Sequence, residues 1–565
     1  LSKVAWRYTF LGLAVTGILI YLAAPYLGWG LGAFLGGPSE LTTAPENRVV
    51  GAVDWTDSLT RMDAPALAQF TLQLNYRSEL DTDSDDWQQL RQAPRRMITV
   101  QTWSGGGRTY DNNPLRDVIE GRYDALLRQF LAKLPDAGAG TFLRLNPEME
   151  VPVDQYPWQL YPSIYIGSYR HFADLCRELA PRARLVWGPA GYPGALEYYP
   201  GDDVVDAATV TYAYAGEHRL DDYPTDYTAD YEVYRRLHRL RFLRVPVYVL
   251  GATDAAEQPD MESVTDLLRA GGPELYGRAP TLTEVTETIA GFPVVPTVFG
   301  LHDPNQRLLD DPNVGVEHIF LDLDQLENGE FETQFRGIME RGHAAIVTFE
   351  PYRPPVDSTD RELLGAIGAG ELDAVLLQLY RILGEADHPV YLRYAHEMEI
   401  PIYRYPWQSQ DPQVYIRSFR HVMLHDSLPK GVQRIWGPAG DRGSLEWYPG
   451  DDAVDLISIA IYGLPDKNIT DPEQQEQFAT IFQRKVYRMR FVGKPIFITE
   501  FGVKGPEAYQ TDWMLGAAET LQDDPRIVGI NYFNMSDLPQ AWGEIKPPDW
   551  SISRATLDTF VRALQ

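Results

Sequence analysis

The sequence predicts an alternating α/β protein: two tandem (β/α)8 barrels of TIM type, the first without an evident eighth strand, behind one N-terminal transmembrane helix. Three observations predict it. The stretch 141–158, TFLRLNPEMEVPVDQYPW, returns 249 residues later at 390–407 as VYLRYAHEMEIPIYRYPW, with nine of eighteen positions identical, which marks a long internal duplication. Within each copy, short apolar runs alternate with helical patterns, the mark of parallel α/β architecture. Residues 8–39 carry no charge and follow Lys3 and Arg7.

The repeat extends well beyond its first block. Trp187-Gly188-Pro189-Ala190-Gly191 returns as Trp436-Gly437-Pro438-Ala439-Gly440, and Tyr199-Pro200-Gly201-Asp202-Asp203 as Tyr448-Pro449-Gly450-Asp451-Asp452. Arg170-His171 matches Arg420-His421, and Gly121 and Asp124 match Gly370 and Asp373. Tandem domains also suit the length, since 565 residues exceed what one hydrophobic core organises. The expected division is 1–40 for an anchor and exit segment, 41–280 for the first barrel and 281–565 for the second.

From the N-terminus, 8–27 is long enough as a helix to cross a bilayer. Its positive flank places the body outside the cytoplasm, periplasmic or at the cell surface. A cleaved signal peptide is the competing reading, but Pro25 follows the small pair Ala23-Ala24 and no good cleavage tripeptide is present.

In the first copy, strands are expected at 48–53, 68–74, 97–102, 141–145, 184–187, 207–212 and 245–250. Helices are expected at 117–134, 165–179, 262–270 and 281–290. The first helix rests on apolar spacing at Val118, Tyr123, Leu126, Leu127, Phe130 and Leu131. Near-continuous apolar strands such as 245–250 fit burial on both faces. Residues 271–280 read as the linker.

The second copy supplies eight strands: 294–299, 317–323, 343–349, 390–394, 433–436, 453–461, 495–499 and 527–533. Helices fall at 332–341, 371–383, 412–425, 474–490 and 551–564. In such a barrel the chemistry lies where strands end at the C-terminal face. Glu397 follows the fourth strand and Glu500 ends the seventh, so both are directed to one cleft.

Composition narrows the function. The net charge of -29 excludes a phosphate-backbone binder, so no nucleic acid is expected as partner. The 33 Tyr and 13 Trp suit a neutral glycan, whose apolar sugar faces stack on rings. The single cysteine, Cys176, permits no internal disulfide and reads as buried packing.

At this point the second copy resembles glycoside hydrolase family 26, which includes β-mannanases, β-1,3-xylanases and mixed-linkage β-glucanases. The residues that carry the likeness are Arg393-Tyr394-Ala395-His396-Glu397-Met398, Tyr405-Pro406-Trp407, Trp436, Tyr448-Pro449-Gly450-Asp451 and 494–502, KPIFITEFG. The resemblance implies Glu397 as acid/base and Glu500 as nucleophile. It implies a substrate cleft formed by Arg393, His396, Trp407, Trp436 and Tyr462, with no cofactor and no metal. One departure stands out: the family follows His-Glu-Met with Asn-Gly, whereas this chain has Glu399-Ile400, a third carboxylate near the acid/base.

The chemistry is consistent with that carry-over. Cleaving a glycosidic bond with retention needs one protonated and one ionised carboxyl, and burial plus like charge separates two such groups. The bland alternative for Glu397 and Glu500 is a pair of solvated or salt-bridged carboxylates, for instance with Arg393. The first copy keeps Glu148 but has Pro147 opposite His396 and Gly251 opposite Glu500. It is therefore expected to be degenerate, with Asn146, Trp103 and Trp158 either lining a relic cleft or packing. His171, His421 and His425 read as helix surface or packing. Asp322, Asp324 and Glu327 read as a solvated rim, and Asp202-Asp203 and Asp451-Asp452 as structural turns. Asn468-Ile469-Thr470 fits a glycosylation sequon.

The expected function is a membrane-anchored, extracytoplasmic retaining β-glycan hydrolase, active in the second barrel only. Its partners would be a β-linked polysaccharide and the lipid bilayer. The alternative is a non-catalytic tandem pseudo-hydrolase that binds polysaccharide, or scaffolds a membrane synthase or export complex.

Overall fold

The computed structural model describes residues 39–55, 59–76, 78–103, 113–134, 140–152, 156–212, 228–252, 258–272, 297–401, 404–463, 476–522, 524–537 and 546–565. The expected membrane segment 8–27, the helix 281–290 and the sequon at Asn468 lie outside these. Among the described residues, no helix is long and apolar enough to cross a membrane. The chain divides into two compact units, Leu1–Ala270 and Gly271–Gln565.

The first unit is an open sheet. Its strands are β1 (Glu40–Thr43), β2 (Asn47–Asp54), β3 (Thr60–Met62), β4 (Ala68–Gln73), β5 (Arg96–Gln101), β6 (Thr141–Leu145), β7 (Arg184–Trp187), β8 (Ala207–Tyr212) and β9 (Val247–Ala252). Their order is β1-β4-β5-β6-β7-β8-β9-β2-β3. The run β4 to β9 is parallel throughout. This corrects the expectation of a first (β/α)8 barrel. The run expected at 48–53 forms as β2, but it pairs antiparallel with β9 instead of opening a parallel series. With six parallel strands, the sheet does not close on itself among the described residues. The antiparallel ribbon β2–β3 covers the exposed edge of β9, as an unpaired edge requires. The sheet is curved all the same, because β2 comes into contact with β4 although five strands stand between them in the sheet order.

The second unit is a closed barrel of eight parallel strands. These are β10 (Val298–His302), β11 (Val316–Leu321), β12 (Ala344–Phe349), β13 (Val390–Tyr394), β14 (Val432–Trp436), β15 (Leu456–Tyr462), β16 (Ile496–Gly502) and β17 (Ile527–Phe533). Closure is made by β10 against β17, from Val298↔Gly529 to His302↔Phe533. Val316, Ala344, Ile346, Ile435, Leu456 and Phe497 fill the end where the strands begin. The opposite end is polar, and the site lies there.

Two helix boundaries differ from the sequence reading for one reason. The helix expected at 117–134 is two, Asn113–Ile119 and Asp124–Lys133, and the one at 371–383 is preceded by a separate turn of helix, Leu363–Gly368. Between the pieces stand Gly121 (φ 74°) and Gly370 (φ 83°). A left-handed residue ends a helix, and glycine takes that conformation at no steric cost. Helix Glu507–Gln522, between β16 and β17, was not anticipated. Its buried face is formed by Gln510, Trp513, Met514, Ala517, Ala518 and Leu521.

Candidate active site

Arg393, near the end of β13, is 1% exposed and lies inside the barrel. Its Nε donates to Thr348 Oγ1 at 2.8 Å and Nη1 to Thr499 Oγ1 at 2.9 Å, while Nη2 forms an ion pair with Glu500 Oε1. The neighbouring strand β12 and, across the barrel, β16 thus fix the guanidinium between them. Thr499 and Glu500 are consecutive in β16 yet both reach Arg393. A bulge permits this: Ser458↔Phe497 is followed by Ala460↔Glu500, so β16 carries one residue more than β15 over that interval. Bulges re-aim side chains in this way, often beside reactive sites.

Glu397 stands on a turn held against its own preference. Ala395 (φ 44°) and Glu397 (φ 54°) are left-handed without being glycine, a conformation that persists only where the surroundings impose it. Here Glu397 N donates to Gly437 O at 2.8 Å and Trp407 Nε1 to His396 O at 2.7 Å. Gln408 Nε2 donates to Glu397 O at 3.3 Å. Glu399 completes the support: one carboxylate oxygen accepts from Gly440 N (3.0 Å), Asp441 N (3.2 Å) and Ser444 Oγ (2.7 Å).

The two carboxyls have opposite electrostatics. Burial, and then the charge of Glu500, push the Glu397 carboxyl up to about 8. Burial acts on Glu500 in the same sense, but Arg393 first, with His396 and His318, together outweigh it and hold Glu500 well below the usual carboxylate range. Tyr462 donates its hydroxyl to Glu500 Oε2 at 2.8 Å. The site can therefore hold one protonated acid and one ionised carboxylate together, the division of labour that acid/base and nucleophilic chemistry requires.

The structure brings Arg393, His396, Glu397, Tyr462 and Glu500 together. Trp407 and Trp436 are fully buried. Trp407 stacks on Tyr405 at 4.4 Å beside the turn that carries Glu397, and Trp436 meets Tyr448 edge-on at 5.0 Å. Neither ring offers a free face to a sugar. Sequence reasoning passed over several side chains at the same strand ends. Glu350 directly follows β12, and burial raises its carboxyl to about 7. His302 ends β10 and stacks on Phe533 at 4.6 Å, and His318 stacks on Phe320 at 4.5 Å. For Glu350 and His302 the only sequence signal was position at a strand's C-terminal end, and His318, inside β11, lacked even that.

The first unit repeats the turn without a carboxylate opposite Glu500. Asn146 (φ 39°) and Glu148 (φ 62°) are left-handed, Glu148 N donates to Gly188 O at 2.8 Å, and Trp158 Nε1 donates to Pro147 O at 2.8 Å. Glu150 accepts from Gly191 N and Tyr192 N at 2.8 and 3.0 Å, as Glu399 does in the second unit. Glu399 and its counterpart Glu150 are thus loop ties, one in each unit. Arg144 bonds Thr99 and Thr209, and Gly251 stands where Glu500 would. Asn146 is bonded to Thr102 and Trp158 is fully buried, so both pack; Trp103 is half-buried, edge-on to Trp158 at 6.3 Å.

Away from the cleft, Arg353 pairs with Asp324 and Glu327, and Asp322 caps the helix Leu323–Glu327. Asp203 and Asp452 pair with Arg170 and Arg420, which makes both Asp-Asp turns structural. Asp373, His421 and His425 have donor atoms within 4.8 Å of one another, the one group among the described residues with a metal-holding arrangement. Ser427 N donates to His425 Nδ1 at 3.1 Å, leaving the proton on Nε2, and the His421–Asp373 pair recurs as His171–Asp124. The group reads as a tie between helices.

No family model matches the chain. It is 30% identical over 188 residues to the β-1,3-xylanase TXYA of a Vibrio species, covering 32% of this chain and 35% of the relative. A β-1,3-xylanase of an Alcaligenes species is 28% identical over 186 residues, 32% of this chain and 34% of the relative. The match thus spans about a third of the length of these relatives. A mannan endo-1,4-β-mannosidase of Thermothelomyces thermophilus is 29% identical over 118 residues, 19% of this chain and 23% of the relative. Among solved structures, GH26C from Muricauda sp. aligns with a TM-score of 0.35 at 14% identity, over 42% of this chain and 79% of that one. The GH26 β-mannanase of Bacteroides ovatus aligns with a TM-score of 0.34 at 16% identity, over 47% of this chain and 86% of that one. Over about a third of its length the chain is similar to β-1,3-xylanases.

Proposed function

We propose that the second unit is a retaining β-glycan hydrolase with Glu500 as nucleophile and Glu397 as acid/base. The observation that carries the reading is the opposed pair: two carboxyls at the ends of β13 and β16, one raised by burial and its partner's charge, the other held ionised by Arg393. In the first step Glu500 attacks the anomeric carbon while Glu397 protonates the departing oxygen. In the second, Glu397 takes a proton from water, which displaces Glu500. Arg393 and Tyr462 hold one oxygen each of the nucleophile. Of the other cleft residues expected from the sequence, His396 borders the reacting groups, and Trp407 and Trp436 act by supporting the loops that carry them. No step calls for a cofactor.

The substrate is a β-linked polysaccharide. The similarity to β-1,3-xylanases and a mannanase makes β-1,3-xylan and β-mannan the first polymers to test, with mixed-linkage glucan beside them. The first unit, with Gly251 at the nucleophile position and Pro147 opposite His396, takes a non-hydrolytic role as a glycan-binding or docking body. The apolar, uncharged segment 8–27 after Lys3 and Arg7 tethers the protein to a membrane with both units outside the cytoplasm. There it would process a polysaccharide or stand beside a synthase or export complex.

The test is product release from these polymers by the protein and by its Glu500→Ala variant. Turnover abolished by the substitution supports the reading and identifies the sugar. A folded protein that releases nothing from any polymer but binds one favours a non-catalytic glycan-guiding role. Recovery in the membrane fraction after alkaline carbonate extraction tests the tether; release into the wash refutes it.

A further inference from the structure

Three of the matched positions at which the two units differ around the reaction centre stand out. Glu350, His396 and Glu500 stand where the first unit, 249 residues earlier, has Gln101, Pro147 and Gly251. Their surroundings persist: Thr348, Arg393, Glu397, Glu399 and Trp407 match Thr99, Arg144, Glu148, Glu150 and Trp158. The register is fixed by geometry as well, since Arg393 bonds Thr348 and Arg144 bonds Thr99.

The His396 ring lies in an apolar box. Its centroid is 6.0 Å from Phe320, 5.7 Å from Tyr405 and 6.2 Å from Trp407. Nδ1 is buried without a partner. Nε2 faces Glu350 Oε1 at 3.9 Å, longer than a hydrogen bond but of the kind that tightens when a substrate closes a site. Glu350 is itself held by the Tyr405 hydroxyl, and the charged groups that act on its carboxyl are Arg404, Arg393 and Glu500.

We propose that Glu350 is a positioning residue of the reaction centre: its carboxylate takes the Nε2–H of His396 and so fixes one tautomer and one orientation of the ring next to the acid/base. The proposal rests on the reading of Glu397 as that acid/base. A carboxylate facing Nε2 leaves Nδ1 as a bare lone pair, which is the less costly atom to bury unpaired. The pair is not needed to shape the turn. The first unit forms the same left-handed turn, with the same backbone and indole bonds, on Gln101 and Pro147. What the pair adds therefore concerns the side chains that react, and it is present only in the unit that has Glu500.

The experiment combines ¹⁵N NMR of the histidine rings with kinetics. His396 is assigned by its loss in His396→Gln, and Glu350→Gln and Glu350→Leu are compared with the unsubstituted protein. The unsubstituted protein is expected to show the proton on Nε2 of His396. Glu350→Gln keeps an acceptor and retains that pattern. Glu350→Leu removes the acceptor, mixes or inverts the tautomers, and lowers kcat on the best β-glycan on the order of 10²-fold, with thermal midpoint and KM little changed. A proton on Nδ1 in the unsubstituted protein overturns the proposal without any variant. So does a Glu350→Leu protein whose ring signals and kcat are unchanged. If the unsubstituted protein cleaves no glycan, the hydrolase reading fails, while the ring signals still decide the Glu350–His396 contact.

Discussion

Glu397 and Glu500 are the same residue type in one cleft, and their surroundings alone give them opposite charge states. Glu397 must be protonated to serve as acid, so kcat/KM should fall as pH rises through about 8. Glu500 must be ionised, and Arg393 keeps it so, which places the acid limb below the ordinary carboxylate range. Arg393→Met should move that limb upward and reduce kcat, because a buried carboxylate is left without its cation. A profile whose acid limb stays in place would count against that role for Arg393. The same shift affects stability. Between about 4.5 and 8 the unfolded chain has lost the Glu397 proton while the folded chain keeps it, so the unsubstituted protein loses stability as pH rises through that window. Glu397→Gln removes the titration. Its thermal midpoint should exceed that of the unsubstituted protein by a margin that widens from pH 5 to pH 8. A constant margin would mean Glu397 does not titrate there.

At the scale of the element, the turn after β13 is the part of the fold most directly tied to chemistry. It is strained at Ala395 and Glu397 and supported by bonds from Gly437, Trp407, Gln408 and, through Glu399, from the loop at Gly440 to Ser444. Glu399→Ala takes the acceptor from the buried Gly440 amide and the half-buried Asp441 amide and should cost about 2–3 kcal/mol by denaturant unfolding. It should also lower kcat, since the acid/base loses its seat. Glu150→Ala in the first unit should cost a similar amount and leave kcat untouched. Equal loss of activity in both would show that the first unit contributes to turnover. This element was legible in the repeated block, because E-M-E and Y-P-W recur there with fixed spacing. The purpose of its second glutamate was not. A carboxylate that binds amides 41 residues away has no local signature and reads in sequence as one more acid beside the catalytic one.

On the scale of the whole molecule, the duplication produced two different sheets. The second unit closes eight strands, whereas the first keeps six in parallel and covers its last edge with an antiparallel ribbon. If reacting groups exist only in the second unit, Glu148→Gln should leave product release unchanged, and Glu397→Gln should reduce it on the order of 10²-fold or more. Loss in both variants would require a catalytic role for the first unit. The sequence alone determined the repeat, the alternating architecture, fifteen strands near their true positions, and two glutamates at the ends of the fourth and seventh strands. Those features are local, written in apolar periodicity and in short blocks that recur. Tertiary structure alone decided the direction of β2, since an isolated apolar strand carries no mark of parallel or antiparallel pairing. It alone turned Trp407 and Trp436 inward, because burial depends on what packs above a ring. It alone placed Glu350 against His396, since that meeting depends on adjacent strands ending at the same height around a closed barrel.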